Sequence, residues 1–562
     1  MNTLNDPEPF VGSFVSVHSF KDAIQSYRRS QLISSSYRVV SSSYAGPPFR
    51  TDDEMRQTEE NDDDLLTSQP YGPPDTSDND LDWDGGSRVI SGVPIPRSSN
   101  VNVKRVEDHR TSFRGPVKVD ERTSLLSRVT EEAPAPLVSG RQSACVLTKS
   151  VSVATGQSTF CQTLFNATAL MVGIGMLSEP LAFSYAGWIG GTLIIASYGF
   201  VTCYTAKFLA SIVISDSSVR SYADIGQRAF GARSVPFVNF LFCFETLSVG
   251  VVLVTLYADS LSAIVPAFSS NAYKILGLFI LTPAAFLPLS FLSYTSLVGI
   301  VSTVFLVAVI FIDGFSKFDA PGSLWSPAET SLRISNLQEL GLAFGLFMAG
   351  FGAHAALPSL ARDMAEPHRF SEAMNYSFCF ATTVYAVIGS AGYLMFGTDV
   401  SDEVSQNLLQ VPGYSPTLNR LALWMLVLTP LTKFPLTTRP LNLALECLLG
   451  LDNYTSDDSE VDQKPSAILA FKFNRSLKRI LIACERITLV CLAVSVSILV
   501  PNFGSIMAVL GSFTVFLLCV IGPITAKMTL QRKVTVVDAT ILMVSTVMAM
   551  WGTVAAFRST TS

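Results

Sequence analysis

The stretch from Asn166 to Pro180 reads NATALMVGIGMLSEP and lies inside an apolar run from about residue 160 to 184. A run of this length can cross a membrane as a helix, which needs about 20 apolar residues. Gly173, Gly175 and Pro180 interrupt that helix, because glycine costs about 1 kcal/mol and proline about 3 kcal/mol in a helix interior. The stretch therefore predicts a membrane helix that breaks near its middle.

A helix break at membrane depth is tolerated only where its backbone lines a cavity or is buried in protein. Many transporters bind substrate at such breaks, where freed amides and the positive end of a half-helix can hold a carboxylate. An alternative is a close contact between helices through small residues. A dinucleotide-binding loop is excluded, because no strand precedes these glycines and the third glycine of that motif is missing.

A second apolar run repeats this feature. Residues 345–358 read GLFMAGFGAHAALP, again with glycines at the centre and a proline after them. The two runs are the first and the sixth along the chain, which are corresponding positions in two five-helix halves of opposite topology. Paired breaks of this kind indicate an inverted repeat, although no residue-level repeat supports it.

The composition is that of a membrane protein. Only 15% of the 562 residues are charged, compared with about 25% in soluble proteins. The apolar runs must be helices, because a strand edge exposed to lipid leaves its backbone unsatisfied. The sequence predicts an all-α membrane protein with eleven transmembrane helices at about 160–184, 188–213, 235–265, 273–291, 294–315, 337–360, 373–396, 418–446, 480–500, 503–526 and 536–557.

The chain divides into two regions. Residues 1–155 are rich in Ser, Asp, Pro and Arg and predict a disordered tail, because they bury too little apolar surface. Residues 156–562 form the predicted transmembrane transporter domain. Lys and Arg are concentrated in the loops on the side of the tail, which predicts a cytosolic N-terminus. In the tail, Glu121 precedes Leu125 and Leu126 as in an acidic dileucine sorting signal read by adaptor complexes, although chance can produce this pattern.

Other function classes find no support in the sequence. It contains no metal-ligand cluster, nucleophile elbow or phosphate loop, so we expect neither an enzyme nor a bound metal or cofactor. No segment indicates nucleic-acid binding.

Three motifs resemble the amino acid/auxin permease family. The first is Asn166, Gly173-Ile-Gly175, Leu177, Pro180 and the run Tyr185–Trp188. The second and third motifs resemble the vacuolar branch of the family. The second consists of Gly352, His354-Ala355, Pro358, Leu360, Asp363-Met364, Pro367 and Phe370. The third is the run Pro430–Pro440. The resemblance covers about 159–557. Ala353 and Glu179 depart from the family pattern beside the expected site.

The resemblance implies an eleven-helix bundle of the bacterial leucine-transporter fold. It also implies a secondary transporter that moves neutral amino acids across the vacuolar membrane in exchange for protons, with uptake into the vacuole favoured. The expected partners are amino acids, protons and the lipid bilayer. An alternative function is a membrane amino-acid sensor of the same fold that signals through its tail, and measuring amino-acid flux in vesicles separates the two.

The predicted substrate site is built from both breaks. The backbone from Gly173 to Leu177 is expected to hold the substrate carboxylate, and the stretch from Ala349 to Ala353 is expected to face its amino group and side chain. The candidate residues are Asn166, Gly173, Gly175, Met176, Leu177, Ala349, Gly350, Gly352 and His354.

Four ionisable residues lie deep in the predicted spans and are candidates for proton coupling: Glu179, Glu245, His354 and Lys433. An imidazole suits an acidic compartment, although His354 can equally be a structural residue that donates to a carbonyl. Glu245 is a candidate proton carrier or a buried partner of Lys433.

Lys433 has a more specific prediction. In the leucine-transporter fold a sodium ion often links span one to the inner half of span eight. Lys433 lies about 22 Å into span eight at 1.5 Å per residue, so its ammonium could take the place of that ion. It could instead reach the cytosolic interface or pair permanently with Glu245.

Overall fold

The computed structural model describes residues 156–216, 218–219, 221–287, 289–334, 336–449, 451 and 475–561. Over these residues the chain is built almost entirely of helices. In chain order the helices are α1 (Phe160–Met171), α2 (Glu179–Ser215), α3 (Tyr222–Phe230), α4 (Val235–Ile264), α5 (Ser270–Ala284), α6 (Leu289–Ser316), α7 (Leu337–Gly350), α8 (Leu357–Asp363), α9 (Phe370–Phe396), α10 (Val404–Gln410), α11 (Pro416–Leu448), α12 (Arg475–Leu499), α13 (Phe503–Val509), α14 (Gly522–Gln531) and α15 (Val536–Thr561).

Eight helical segments within the described residues are long and apolar enough to cross a membrane. They are Ile174–Ser215, Ala232–Ile264, Val298–Ser316, Pro367–Asp399, Pro416–Glu446, Ser476–Leu499, Phe503–Gln531 and Val536–Thr560. The predicted all-helical membrane protein is confirmed at this level. The count of eleven spans and the inverted repeat remain predictions, because α5 and α7 are only 15 and 14 residues long.

Helix α2 contains a sharp turn that separates the predicted first and second spans. Gly187 has φ +67° and ψ 175° inside the helix. A Cβ atom at this position would lie 2.7 Å from the carbonyl oxygen of Arg333, so only glycine fits. Beyond the turn, the Trp188 amide donates to the Ser331 carbonyl over 3.1 Å.

Helix α1 begins at the side of the bundle where the sixth predicted span ends. The Ser158 amide donates to the Asp363 carbonyl over 2.7 Å, and the Ala365 amide donates to the Ser158 carbonyl over 2.8 Å. We call the end of the bundle where α1 begins the tail side. The turn at Gly187 and the loop before α7 lie at the opposite end.

The tenth predicted span is not a regular α-helix. Two π-helical runs, Leu510–Val515 and Leu517–Ile521, separate α13 from α14. The first run packs closely on α7, where a Cβ atom on Gly511 would lie 1.8 Å from the carbonyl oxygen of Gly345. Small residues of this kind let two membrane helices approach each other at backbone distance.

A buried ion pair joins α11 to α12. Arg486 Nη2 lies 2.8 Å from Glu446 Oε1, and both side chains are largely buried. Arg486 Nη1 also reaches the Ala285 carbonyl, at the end of α5, over 3.4 Å. Charges buried in a membrane protein need such partners, so these residues have a structural role.

Candidate functional site

The first predicted break is present in the structure. Helix α1 ends at Met171, and Gly173 takes an extended conformation with φ −154° and ψ −143°. A short 3-10 turn, Ile174–Ser178, follows before α2 begins at Glu179. Pro180 lies in the first turn of α2, where its missing amide costs no hydrogen bond. The chain is therefore divided into two half-helices at the predicted glycines.

The second predicted break is also present. Helix α7 ends at Gly350, and α8 begins only at Leu357 with Pro358 in its first turn. The intervening residues 351–356 are not α-helical. At both predicted breaks, therefore, the α-helix stops and resumes within the bundle.

The two breaks touch each other. A Cβ atom on Gly175 would lie 2.8 Å from the Cα atom of Gly350 and 3.2 Å from its amide nitrogen. This distance is shorter than the approach that side-chain carbons make, so the contact requires glycine at 175. The predicted residues Met176 and Leu177 are buried beside this contact.

The other predicted substrate residues lie on both sides of this contact. Asn166 is fully buried on α1, and Ala349 is in the last turn of α7. Gly352 lies in the second break, where a Cβ atom would be 3.3 Å from Val515 Cγ2 of the π-helical run. The structure therefore groups the first and second breaks against the tenth predicted span.

Tyr385 on α9 connects the ends of the two interrupted helices. Its hydroxyl lies within hydrogen-bond distance of the carbonyl oxygen of Met171 and, at 2.8 Å, of the carbonyl oxygen of Gly350. These are the last residues of α1 and α7, whose terminal carbonyls have no partner within their own helix. The sequence contains no signal for this role, because Tyr385 is one aromatic residue among many in an apolar span.

Glu179 is buried between both breaks. Its side chain is fully inaccessible, and neither carboxylate oxygen has a hydrogen-bond partner among the described residues. A Cβ atom on Gly350 would lie 3.1 Å from Glu179 Oε1, and one on Gly389 of α9 would lie 3.3 Å from Glu179 Cβ. Glu179, one of the two residues that depart from the family pattern, therefore lies between the two breaks.

His354 in the second break is held by α2. Its Nε2 atom lies 3.0 Å from the Thr202 carbonyl and 2.9 Å from Thr205 Oγ1. Because a carbonyl can only accept, Nε2 carries a proton, as in the structural alternative. Nδ1 is buried without a hydrogen-bond partner among the described residues. The ring therefore has one nitrogen in a structural contact and one that remains available.

Lys433 on α11 extends towards the first break. Its Nζ atom lies 3.9 Å from the position of a Cβ atom on Gly173. On its other side it packs on Gly299 of α6, where a Cβ atom would be 2.6 Å from Lys433 Cε and 3.5 Å from Nζ. Lys433 thus lies where α6, α11 and the break of the first span meet.

The remaining predicted residues are Glu245 and those of the sorting signal. Glu245 on α4 is within electrostatic range of Tyr222 and of Cys519, whose thiol lies 3.7 Å from the Phe351 carbonyl of the second break. The predicted sorting residues Glu121, Leu125 and Leu126 lie outside the described residues.

Comparison with known proteins identifies a family and several relatives. Residues 156–561 match the family of transmembrane amino acid transporter proteins. Amino acid transporter AVT1E of Arabidopsis thaliana is 27% identical over 86% of this chain and 90% of its own length. Amino acid transporter AVT1B of the same plant is 29% identical, over 68% of this chain and 67% of its own. Among solved structures, the nucleobase-cation-symport-1 family transporter Mhp1 covers 73% of this chain and 92% of its own, with 12% identity and a TM-score of 0.45.

The chain is a helical membrane bundle with two interrupted helices in contact. Together with the family match, this architecture defines a multi-pass membrane transporter and not an enzyme. The chain belongs to the transmembrane amino acid transporter family, as its motifs predict. Amino acids are therefore its cargo, and the lipid bilayer is its surroundings.

Proposed function

We propose that the protein is a secondary transporter that exchanges neutral amino acids for protons across the vacuolar membrane. Amino acids would enter the vacuole as protons leave its acidic interior. The observation that carries this proposal is the contact between Gly175 and Gly350, with the Lys433 ammonium beside Gly173. We further propose the inverted five-helix repeat of the bacterial leucine-transporter type, with eleven spans and a cytosolic N-terminus.

The substrate carboxylate would bind between Gly173 and Leu177. Helix α2 begins just beyond this stretch, and the N-terminus of a helix carries a partial positive charge. Gly173 has no side chain and the nearest atoms to a Cβ placed there are 3.8 Å away, so a ligand can approach the backbone at this residue. Together these features support a carboxylate site in the first break.

The substrate amino group would bind opposite, towards Ala349–Ala353. Helix α7 ends at Gly350, and the C-terminal end of a helix carries a partial negative charge. Met176 and Leu177 contribute buried apolar surface at the same level. This combination supports an amino acid with an uncharged side chain as the cargo.

Lys433 would provide the coupling. Its ammonium lies between the first break and α6, so a positive charge there can stabilise the first half-helix in this position. Loss of the proton would remove that charge and loosen the contact. A lysine in this place supports dependence on protons and independence of sodium.

Glu179 is the second candidate for carrying the proton, since its unpartnered carboxylate faces both breaks. His354 can contribute only through Nδ1, because its Nε2 is engaged by α2. Glu245 would act from α4, near Cys519. The pair Leu125 and Leu126, with Glu121, would direct the protein to the vacuole through an adaptor complex.

Reconstituted vesicles with an acidic interior provide the test. External radiolabelled leucine should accumulate while the pH gradient lasts, and a protonophore should abolish the accumulation. Replacement of external sodium by choline should have no effect. A requirement for sodium would contradict the proposed coupling. Binding of leucine without flux would instead favour the sensor alternative, in which the same fold signals through its tail.

A further inference from the structure

A cavity of about 280 Å³ lies on the tail side, and no residue of either break lines it. Its walls come from Leu209 of α2, from α3, from the first turns of α4, and from the part of the tenth predicted span that includes the second π-helical run. For comparison, an apolar cavity of about 150 Å³ in another protein stays dry and binds benzene. This cavity therefore has room for an apolar ligand.

The lining has no free hydroxyl proton to donate to a polar ligand. Three hydroxyl groups are present, and each donates to a backbone carbonyl of the protein. Tyr222 donates to the Leu518 carbonyl over 2.7 Å, and Ser234 reaches the Gly226 carbonyl over 2.9 Å. Thr525 donates to the Ile521 carbonyl over 2.7 Å. The other lining side chains are apolar and none is charged, so this cavity does not suit an amino acid or an ion.

The mouth of the cavity favours a membrane lipid. Phe230 and Phe237 line it and are 46% and 57% exposed, at the point where the span of α4 begins. Exposed apolar side chains beside a membrane span favour contact with lipid chains. Arg233 is exposed and directly precedes Ser234 of the lining, so a cationic side chain is available for an anionic headgroup.

We propose that this cavity is a lipid site that takes one acyl chain of an anionic phospholipid from the leaflet on the tail side. Phe230 and Phe237 flank the entering chain, and Arg233 binds the phosphate. The site is separate from the proposed amino-acid site and does not depend on the function proposed above.

The cavity wall is joined to the second break by a short series of contacts. Leu518 lines the cavity, and its carbonyl accepts the Tyr222 bond. The carbonyl of the next residue, Cys519, accepts a 2.7 Å bond from Thr205. Thr205 Oγ1 in turn lies 2.9 Å from His354 Nε2. Through these contacts the wall of the cavity is connected to a residue of the second break.

Photo-crosslinking tests the site directly. The full-length protein is reconstituted in phosphatidylcholine vesicles that contain phosphatidylserine with a diazirine near the end of one acyl chain. Wild-type protein should be labelled in the peptides that contain Tyr222–Phe230 or residues 517–526. Labelling should fall at least fivefold when the label is carried by phosphatidylcholine instead. Absence of label from these peptides in the wild type would overturn the proposal.

Cavity-filling variants provide the matched comparison. Ala526 lines the cavity, and Ala526→Phe should reduce labelling of these peptides at least fivefold. Ile225→Phe fills the cavity from α3 and should act in the same way if the first variant fails to fold. Ala539→Phe adds the same ring at an exposed position of α15 and should leave labelling unchanged. Equal labelling of the filled variants and the wild type would show that the acyl chain binds elsewhere.

Discussion

Gly175→Ala should impair transport by separating the two breaks. The added Cβ would lie 2.8 Å from Gly350 Cα, whereas ordinary contacts of this kind are 3.4–4 Å. The two backbones must therefore move apart by at least about 0.6 Å, because packed interiors have no spare volume. Neither partner can rotate away, since the clash is with main-chain atoms.

The expected magnitude follows from the packing. Forcing an extra methyl group into a close-packed core costs about 1–3 kcal/mol. If this cost destabilises the conformation that binds substrate, uptake should decrease by about 5- to 150-fold, since each 1.4 kcal/mol corresponds to a factor of ten. Gly175→Val adds further branching at the same point and should abolish measurable uptake.

The assay is uptake of radiolabelled leucine by purified protein in acid-inside vesicles. The matched control is Gly190→Ala, where the new Cβ would meet Ala186 Cβ at 3.4 Å, an ordinary contact outside the breaks. The control should transport as the wild type does. The melting temperature of each variant separates misfolding from a local effect. Normal uptake by a correctly folded Gly175→Val protein would refute the close-approach argument.

Four further predictions follow from the candidate site. Lys433→Ala should abolish leucine uptake driven by a pH gradient, and proton-driven uptake that persists would exclude its coupling role. Glu179→Gln should preserve exchange of leucine across the membrane but remove its response to the pH gradient, so an unchanged response would assign the proton elsewhere. Tyr385→Phe should destabilise the paired breaks by about 1–3 kcal/mol, because two buried carbonyls lose their shared donor, and a lower melting temperature with reduced uptake would be the readout. Leu125→Ala combined with Leu126→Ala should move fluorescently tagged protein from the vacuole to the cell surface with transport unchanged, and unaltered vacuolar fluorescence would mean that the motif arose by chance.

Much of the fold could be predicted from local properties of the chain. Apolar runs mark the membrane helices, because the hydrocarbon core excludes charged side chains. Glycine and proline mark the two breaks, because their cost in a helix does not depend on distant residues. The structure confirms both breaks, at Gly173 and after Gly350. Three motifs, two of them around these breaks and one at Pro430–Pro440, were also sufficient to predict the family.

The sequence alone could not predict which helix ends contact each other. Within the membrane both lipid and neighbouring helices are apolar, so the helices show little periodicity to indicate which face meets which partner. The contact of Gly175 with Gly350 therefore required the tertiary structure. The same holds for the position of Lys433 Nζ near Gly173 and for the Tyr385 hydroxyl between two helix ends.

The sequence by itself thus determined the membrane class, the family and the two interruptions, because each depends on composition, propensity or a short motif. Only the tertiary structure decided which residues meet at those interruptions and where a cavity remains between the helices. The turn at Gly187 illustrates the difference. Glycine permits a positive φ anywhere, but the requirement for it here comes from the Arg333 carbonyl, which is distant in sequence. The rotation and spacing of packed helices set these contacts, and no local pattern in the chain encodes them.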